Sequence, residues 1–233
     1  MGVCMSLLNS AQVSDTHSLY SSGIKVRRPA LGNEARVLTN IYLEETNIAI
    51  WQRQLSATLK QSVDAFLRSH PNFQLSMTVA PQSVLSSISE SLGNNDQVEL
   101  CENIAELTSI FCCLFELKRA GLRLTALDRA MCPKFHVDKV PCRLITTFQG
   151  AATEWLPHHA VNRQKLGIGS NGQPDDQSGL YQRHDDIQQL NCGDVGLLKG
   201  ELWSGNESAG LVHRSPALKI GERRLLLTLD FSD

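Results

Sequence analysis

The chain has 233 residues, a formal net charge of −2 and 42% hydrophobic residues. A chain of this length buries roughly 70% of the surface that its unfolded form exposes, which suits one large domain or two small ones. The near-neutral charge gives no electrostatic reason to expect a nucleic acid or an acidic lipid as partner. No stretch approaches the ~20 consecutive apolar residues of a membrane span, so we expect no membrane segment.

The first thirty residues and the cysteines bear on location. Residues 1–30 are rich in serine and lack a periodic pattern, which predicts a flexible tail. The opening residues MGVCMSLLNS lack the basic region and the apolar run of a secretory leader. The seven cysteines are scattered and include no CxxC pair, which favours a reducing compartment. We therefore expect a cytoplasmic protein.

Helical patterns dominate residues 31–121. Helices are predicted over 52–70, 80–93 and 98–121, with a short extended piece at 73–79. The last helix is the clearest, because its apolar residues recur at three- and four-residue steps and Gly121 suits its C-terminal end. We predict a mainly helical N-terminal part.

The period changes to two over residues 122–233. Five short runs rich in Leu, Ile, Val and Thr lie at 122–127, 142–148, 194–200, 210–215 and 223–231. Short strands without intervening helices indicate an antiparallel sandwich or barrel. The segment 157–191 has no apolar period and is predicted to be a long lid or binding loop. The predicted fold is α+β, a helical N-terminal layer packed on a C-terminal antiparallel double-stranded β-helix, or jelly roll, as one compact unit.

The sequence HVD places a histidine and an aspartate two residues apart, at His136 and Asp138. On an extended chain both side chains leave the same face. An imidazole and a carboxylate together suit Fe(II), Mn(II) or Zn(II). Taken alone the triplet is a weak motif, and a hydrogen-bonded pair at a strand end is the alternative.

The C-terminal residues add a second half to this pattern. Two apolar runs flank the turn-like segment PALKIG at 216–221, which suggests a hairpin with its centre near Leu218. His213 and Arg223 would then be cross-strand neighbours. An inward-facing arginine requires an anion, since an unpaired buried charge is costly. That anion could be a side-chain carboxylate or a ligand.

The spacing of these residues resembles the signature of the Fe(II)/2-oxoglutarate dioxygenases. His213 lies 75 residues after Asp138, and Arg223 lies 10 residues after His213. In that superfamily a jelly roll presents H-x-D and a distal histidine as a facial triad, and a basic residue on the next strand binds the far carboxylate of 2-oxoglutarate. The resemblance implies that His136, Asp138 and His213 bind the metal and that Arg223 binds the cosubstrate.

A narrower resemblance covers roughly residues 35–231. The segments MCPKFHVD, TEWL, GDVGLLKGE, GLVHRSP and ERRLLLTLDF are similar to a bacterial family catalogued as domain of unknown function 1826. Members of that family are said to occur near zinc-homeostasis genes, which suggests a context and not a reaction.

Several other residues each have more than one candidate role. Arg143 could be a second anion contact or a structural residue, and Arg214 or Arg224 could bind the anion in place of Arg223. Arg223 itself could instead form a salt bridge with Asp138, Glu222 or Asp230. Three groups complete the candidates: Thr153 and Trp155 as pocket or core residues, Cys132 as a zinc ligand or a buried thiol, and His158, His159 and His184 as surface histidines.

The leading hypothesis is a cytoplasmic non-haem Fe(II), 2-oxoglutarate-dependent oxygenase that hydroxylates an unknown substrate, with no catalytic residue assigned beyond the metal ligands. The alternative is a non-catalytic, zinc-binding jelly roll linked to metal homeostasis. A third hypothesis is an interaction module whose site has lost its function.

Overall fold

The computed structural model of the protein describes residues 26–93 and 97–232. The predicted tail at 1–30 lies mostly outside this part, and the MGVCMSLLNS segment lies wholly outside it. The strands of the described part are β1 (Arg28–Gly32), β2 (Thr46–Trp51), β3 (Gln74–Val79), β4 (Ala120–Leu127), β5 (Cys142–Gln149), β6 (Glu154–Leu156), β7 (Gln188–Gln189), β8 (Val195–Lys199), β9 (Val212–Arg214) and β10 (Arg224–Phe231). The α-helices are α1 (Ala57–Ser69), α2 (Val84–Ser91) and α3 (Val98–Leu114), and a 3-10 helix spans Ala35–Tyr42.

The strands form two sheets. The major sheet has seven strands in the order β1-β2-β8-β5-β10-β4-β3, and the minor sheet has three in the order β7-β6-β9. Every neighbouring pair is antiparallel except β1 and β2, which run parallel. The result is a mixed α/β protein built on a large, mostly antiparallel sheet.

Each face of the major sheet packs against a different partner. The larger core cluster joins one face to the helices, with contributions from Ile104, Phe111 and the β10 residues Leu225, Leu227 and Leu229. A second cluster fills the space between the two sheets, and its members are Ile48, Ile50, Ile145, Ala152, Trp155, Leu190, Leu198, Leu211 and Leu226. Strand β10 is therefore buried on both faces.

The N-terminal part is not simply a helical layer. It supplies β1, β2 and β3 to the major sheet, with β2 paired to β8 and β3 paired to β4. Strand β2 has the sequence TNIAIW and is buried over its first five residues. A strand buried on both faces lacks the alternation of apolar and polar residues that marks a half-exposed strand, which is why the sequence pattern did not reveal it.

Helix boundaries differ from the predicted ones for local reasons. Helix α1 begins at Ala57, not at 52, because the side chain of Ser56 accepts a hydrogen bond from the Leu59 amide and caps the helix. Helix α3 ends at Leu114, not at 121, because Glu116 adopts a positive φ of 54° and the chain enters β4 at Ala120.

The predicted hairpin of residues 210–231 is wrong. Strand β9 pairs with β6 in the minor sheet, whereas β10 lies between β5 and β4 in the major sheet. His213 and Arg223 are therefore not cross-strand neighbours. In a jelly roll, successive strands cross from one sheet to the other, so a short turn between two apolar runs does not require that they pair.

The register of β5 and β10 shifts between Leu225 and Leu226. Gly150 follows β5 at a φ of +86°, and a Cβ atom there would lie 2.4 Å from the Arg223 carbonyl oxygen. Glycine is thus required where β5 leaves the sheet.

No helix in the described ranges combines the length and apolar character that crossing a bilayer needs.

Candidate metal site

Two histidines are joined directly through their backbones. His136 forms an isolated antiparallel bridge with His213, and each residue donates its amide hydrogen to the other's carbonyl oxygen at 3.0 Å. Residues opposed in this way project their side chains to the same side. The two imidazole rings lie with their centroids 4.6 Å apart.

Asp138 completes a three-residue cluster. One ligand atom from each of His136, Asp138 and His213 lies within 4.8 Å of the others. It is the one group of three or more metal-binding side chains found among the described residues. The fold thus brings the two residues of the HVD motif together with His213, as the resemblance implied, and their arrangement could hold a metal ion.

Backbone contacts leave the same ring nitrogen available on each histidine. The Nδ1 atoms of His136 and His213 lie 2.9 Å and 3.3 Å from the carbonyl oxygens of Lys134 and Leu211. A carbonyl oxygen only accepts, so Nδ1 is the donor in each ring, and Nε2 is the nitrogen that faces Asp138, at 3.8 Å for His136 and 3.4 Å for His213. Such bonds also fix ring orientation, as they do for metal-ligating histidines.

The electrostatic surroundings keep Asp138 ionised. Burial opposes its ionisation, but the hydrogen bond and charge of His213, together with the charges of Arg143 and His136, outweigh burial and lower the pKa of Asp138 to about 2. Burial, helped by the charge of His213, lowers the pKa of His136. A carboxylate and a neutral imidazole are the forms that bind a metal.

The donor set fits a divalent transition metal. Two imidazoles and one carboxylate form the set found in non-haem Fe(II) oxygenases, and it also suits zinc. The His213 side chain is only 6% exposed and that of Asp138 13%, whereas that of His136 is 35% exposed. The cluster is therefore closed on the His213 side and accessible beside His136.

Arg143 holds the carboxylate of the cluster. Its Nη1 atom donates to Asp138 at 2.8 Å, and its Nε and Nη2 atoms donate to Asp230 at 2.7 Å and 3.0 Å. These contacts support the structural role considered for Arg143 from the sequence. Asp230 was noticed in the sequence only as a partner for Arg223, and nothing in its local pattern links it to Arg143.

Arg214 serves the long loop. Its Nε atom bonds Glu154 at 2.6 Å, and its Nη1 atom lies 3.6 Å from Asp175. The same Asp175 carboxylate accepts the Phe135 amide at 2.8 Å. Asp175 therefore ties the 157–191 segment to the residue before His136 and to the residue after His213. No local sequence pattern indicates this contact.

Arg223 and Arg224 point to different sides of β10. Arg223 donates from Nη1 to the carbonyl oxygen of Pro71 at 2.8 Å, away from the triad. Arg224 is 1% exposed, and its guanidinium donates to the hydroxyls of Thr147 and Thr153 at 2.7 to 3.3 Å. Period-two reasoning selected the face of Leu225, which packs on the helices and not between the sheets.

The Arg224 guanidinium has no carboxylate partner within residues 26–93 and 97–232, and its hydrogen bonds go to the hydroxyls of Thr147 and Thr153. Burial alone lowers the pKa of Arg224 to about 10. Thr153 directly precedes β6 of the minor sheet. The hydrogen bond from Arg224 to Thr153 therefore spans the space between the two sheets.

The remaining candidates are dispersed. Trp155 pairs with His213 across β6 and β9 and belongs to the core cluster between the sheets. Cys132 is exposed and outside the triad, although its carbonyl oxygen accepts the Ser215 amide. The histidines of the 157–191 region, His158, His159 and His184, also lie outside the triad.

Comparisons with known proteins agree with this architecture. The dioxygenase for auxin oxidation 1 from Arabidopsis thaliana, in complex with 2-oxoglutarate, is 10% identical with a TM-score of 0.50, over 88% of this chain and 92% of that chain. The rice dioxygenase for auxin oxidation is 10% identical with a TM-score of 0.51, over 88% and 82%. No curated protein sequence matches.

The chain thus shares the fold of these two dioxygenases, and it carries a His-Asp-His cluster that could hold a metal. The chain belongs to the family described as "Protein of unknown function (DUF1826)", whose profile matches residues 32–230.

Proposed function

We propose that the protein is a non-haem Fe(II), 2-oxoglutarate-dependent oxygenase that hydroxylates a substrate still to be identified. One observation carries this proposal: Arg224, a buried arginine without a carboxylate partner in the described residues, shares the space between the sheets with the triad. A buried guanidinium that is bonded only to hydroxyls retains the capacity to bind an anion.

The distance between the triad and Arg224 suits a short dicarboxylate. Thr153, which bonds Arg224, lies two residues before Trp155, and Trp155 is paired with His213. Two residues of an extended strand span about 7 Å, which is close to the length of a five-carbon dicarboxylate. A molecule with one end at the triad could therefore present its other carboxylate to Arg224.

The side chains between these points are apolar. Ile145, Trp155 and Leu226 belong to the cluster between the sheets and would contact the methylene groups of 2-oxoglutarate. Arginine binds a carboxylate through two parallel hydrogen bonds, which fixes the orientation of the ligand as well as its charge.

The triad residues His136, Asp138 and His213 would hold the iron, which when bound would supply the oxidative chemistry. The chain supplies the rest. Asp138 is ionised at neutral pH, and Arg143 holds its carboxylate in place. The backbone contacts at Nδ1 orient both rings. In this proposal the 157–191 segment covers the site and limits the access of water.

The test is anaerobic spectroscopy of the purified protein. Addition of Fe(II) followed by 2-oxoglutarate should produce a weak visible charge-transfer band, and oxygen should then cause slow consumption of 2-oxoglutarate. His213→Ala should abolish the band, whereas His70→Ala, which changes an exposed histidine outside the triad and outside the 157–191 segment, should preserve it.

A contrary result would favour the metal-binding alternative. Zinc retained at one equivalent through purification, together with no band and no thermal stabilisation by 2-oxoglutarate, would reject the oxygenase. If neither His136→Ala nor His213→Ala alters metal content or melting temperature, the triad binds no metal.

A further inference from the structure

A cleft of about 660 Å³ lies at the β3–β4 end of the major sheet, apart from the triad and Arg224. Its floor includes Gln74, Ser76, Arg123 and Thr125, and its wall is the segment 127–131. Neither the dicarboxylate site nor the triad accounts for this space.

The floor of the cleft faces the same way as the site. Arg123 is paired with Thr228 of β10, and Thr228 is paired with Ile145 of β5. Directly opposed residues share a face, and Ile145 belongs to the cluster between the sheets. Arg143 lies two residues before Ile145 and shares that face too. The cleft is therefore a lateral continuation of the surface beneath the triad.

The minor sheet does not cover this continuation. The cluster between the sheets draws residues from β2, β5, β8 and β10, but from β4 only Leu127 packs against it. Gln74, Ser76 and Arg123 are exposed. The major sheet thus extends beyond its cover by two strands, next to the candidate metal site.

The cleft is positively charged where it approaches the site. Arg123 forms no ion pair with any described residue, and both oxygens of Asp230, which lies diagonally across from it, already accept hydrogen bonds from Arg143. A second arginine, Arg129, lies at the rim beside Asp128 at 3.5 Å, and that pair is well exposed. The Arg123 charge is therefore available to a ligand.

The wall connects the cleft with the triad. Met131, which lines the cleft and is 54% exposed, lies five residues before His136. Between them the Cys132 carbonyl oxygen accepts the amide of Ser215, two residues after His213. Leu75, Leu127 and Met131 give the cleft apolar surface beside its charge.

We infer that this cleft is the substrate site, and that the substrate is a small organic anion with an apolar body whose charge pairs with Arg123. Calling the ligand a substrate rests on the proposed oxygenase function, whereas binding of the anion does not depend on that function. A carboxylate and a phosphate ester share the required chemistry. The apolar body would lie along Leu127 and Met131, which line the same cleft.

The test uses the full chain free of metal and 2-oxoglutarate, with ¹H–¹⁵N spectra recorded during titration. The probes are 4-phenylbutyrate and phenyl phosphate, compared with the neutral 4-phenylbutanamide and the cationic 4-phenylbutylamine. We expect at least one anion to shift amide resonances of residues 74–76 and 123–131, with an affinity about tenfold above that of the amide, as a charge-assisted hydrogen bond would give. The two anionic probes distinguish a carboxylate from a phosphate preference.

Variants locate the contact. Arg123→Gln should remove the preference for the anion, whereas Arg119→Gln, which changes an exposed arginine just before β4, should retain it. Arg224→Met should also retain it, which separates this cleft from the proposed 2-oxoglutarate contact. With Mn(II) added, the protons of the bound probe should relax faster than with Zn(II), and His213→Ala should remove that difference.

Equal binding of the neutral and anionic probes would overturn the inference. So would unchanged amide resonances when either anion is present in a molar excess of about 10-fold or more over the protein. An anion preference without a 2-oxoglutarate-dependent band would leave the cleft as an anion site and reject the oxygenase. A 2-oxoglutarate-dependent band without any anion preference would support the oxygenase and reject the anion site.

Discussion

Arg143 Nη1 lies 2.8 Å from Asp138 Oδ2, so the only carboxylate of the triad is held by a guanidinium before any metal binds. The other side of the same guanidinium is fixed by two bonds to Asp230. Asp230 of β10 therefore positions, through Arg143, the candidate metal ligand Asp138, which lies in another part of the chain.

We call the contacts Asp230–Arg143–Asp138 the relay, and we predict that substitutions of Asp230 and Arg143 affect the free energy of unfolding non-additively. Asp230→Asn should lower the free energy of unfolding of the metal-free protein by about 2 kcal/mol, because it weakens a largely buried ion pair and leaves Arg143 with Asp138 alone. Urea unfolding of Asp230→Asn, Arg143→Met and the double variant gives the interaction energy. We expect a coupling of at least about 1 kcal/mol, and strictly additive effects would contradict the relay.

Arg224 should show a conflict between stability and function. Arg224→Met removes a buried charge that only hydroxyls solvate, so we expect the free energy of unfolding to rise by about 1 kcal/mol or more. The same variant should lose 2-oxoglutarate binding by at least tenfold, measured calorimetrically with Mn(II) present. Arg223→Met is the matched control and should bind 2-oxoglutarate like the parent. A larger loss in Arg223→Met would restore the assignment made from the sequence.

Asp175 should control local opening beside the triad. Asp175→Ala removes the acceptor of the Phe135 amide and the partner of Arg214. We expect hydrogen exchange at Phe135 to accelerate about tenfold, the equivalent of one charge-assisted hydrogen bond, and metal affinity to fall with it. Asp176→Ala changes an exposed neighbour and should leave both unchanged. Identical exchange in the two variants would show that Asp175 does not anchor the loop.

Lys199 gives a prediction on pH. This lysine is 2% exposed, and burial, with the charge of Arg27, lowers its pKa from 10.5 to about 8. Below pH 8 the amine is protonated in both states, so the folded state bears the full cost of burying the charge. Between pH 8 and 10.5 the unfolded chain binds more protons, so stability from this group rises with pH.

The stability of Lys199→Met relative to the parent should therefore be highest below pH 8 and should fall as the pH rises to 10.5. At about 1.4 kcal/mol per pKa unit, the change across this window is about 3 kcal/mol. The loss of the hydrogen bond from Lys199 Nζ to the Leu43 carbonyl oxygen shifts the whole curve and not its slope. Urea unfolding of both proteins at several pH values measures the difference, and a difference independent of pH would contradict the lowered pKa.

Much of the C-terminal architecture could be predicted from the sequence because its strands are short and bounded by turns. The runs predicted at 142–148 and 194–200 correspond to β5 and β8 within two residues at each end. His136 and Asp138 were identified because a two-residue spacing on extended chain is a local property. His213 followed from the resemblance to a known spacing.

The contacts that orient the site could not be predicted in the same way. On β10 both faces are buried, so Leu225 and Leu226 carry no sign of which face meets the helices and which meets the minor sheet. The choice between Arg223 and Arg224 therefore depended on topology. Asp175 and Asp230 act over 40 and 87 residues of chain, and such pairings leave no local pattern.

The place of β2 in the major sheet has a consequence for how the chain folds. Ile48 is paired with Leu198, 150 residues later, so this strand has no partner on its inner side until β8 is in place. Pairings so distant in sequence slow folding, and an unpaired segment such as TNIAIW can pair with another molecule in the meantime. Substitutions in β2 should therefore reduce the yield of refolding from urea more than they reduce the stability of the protein that has already folded.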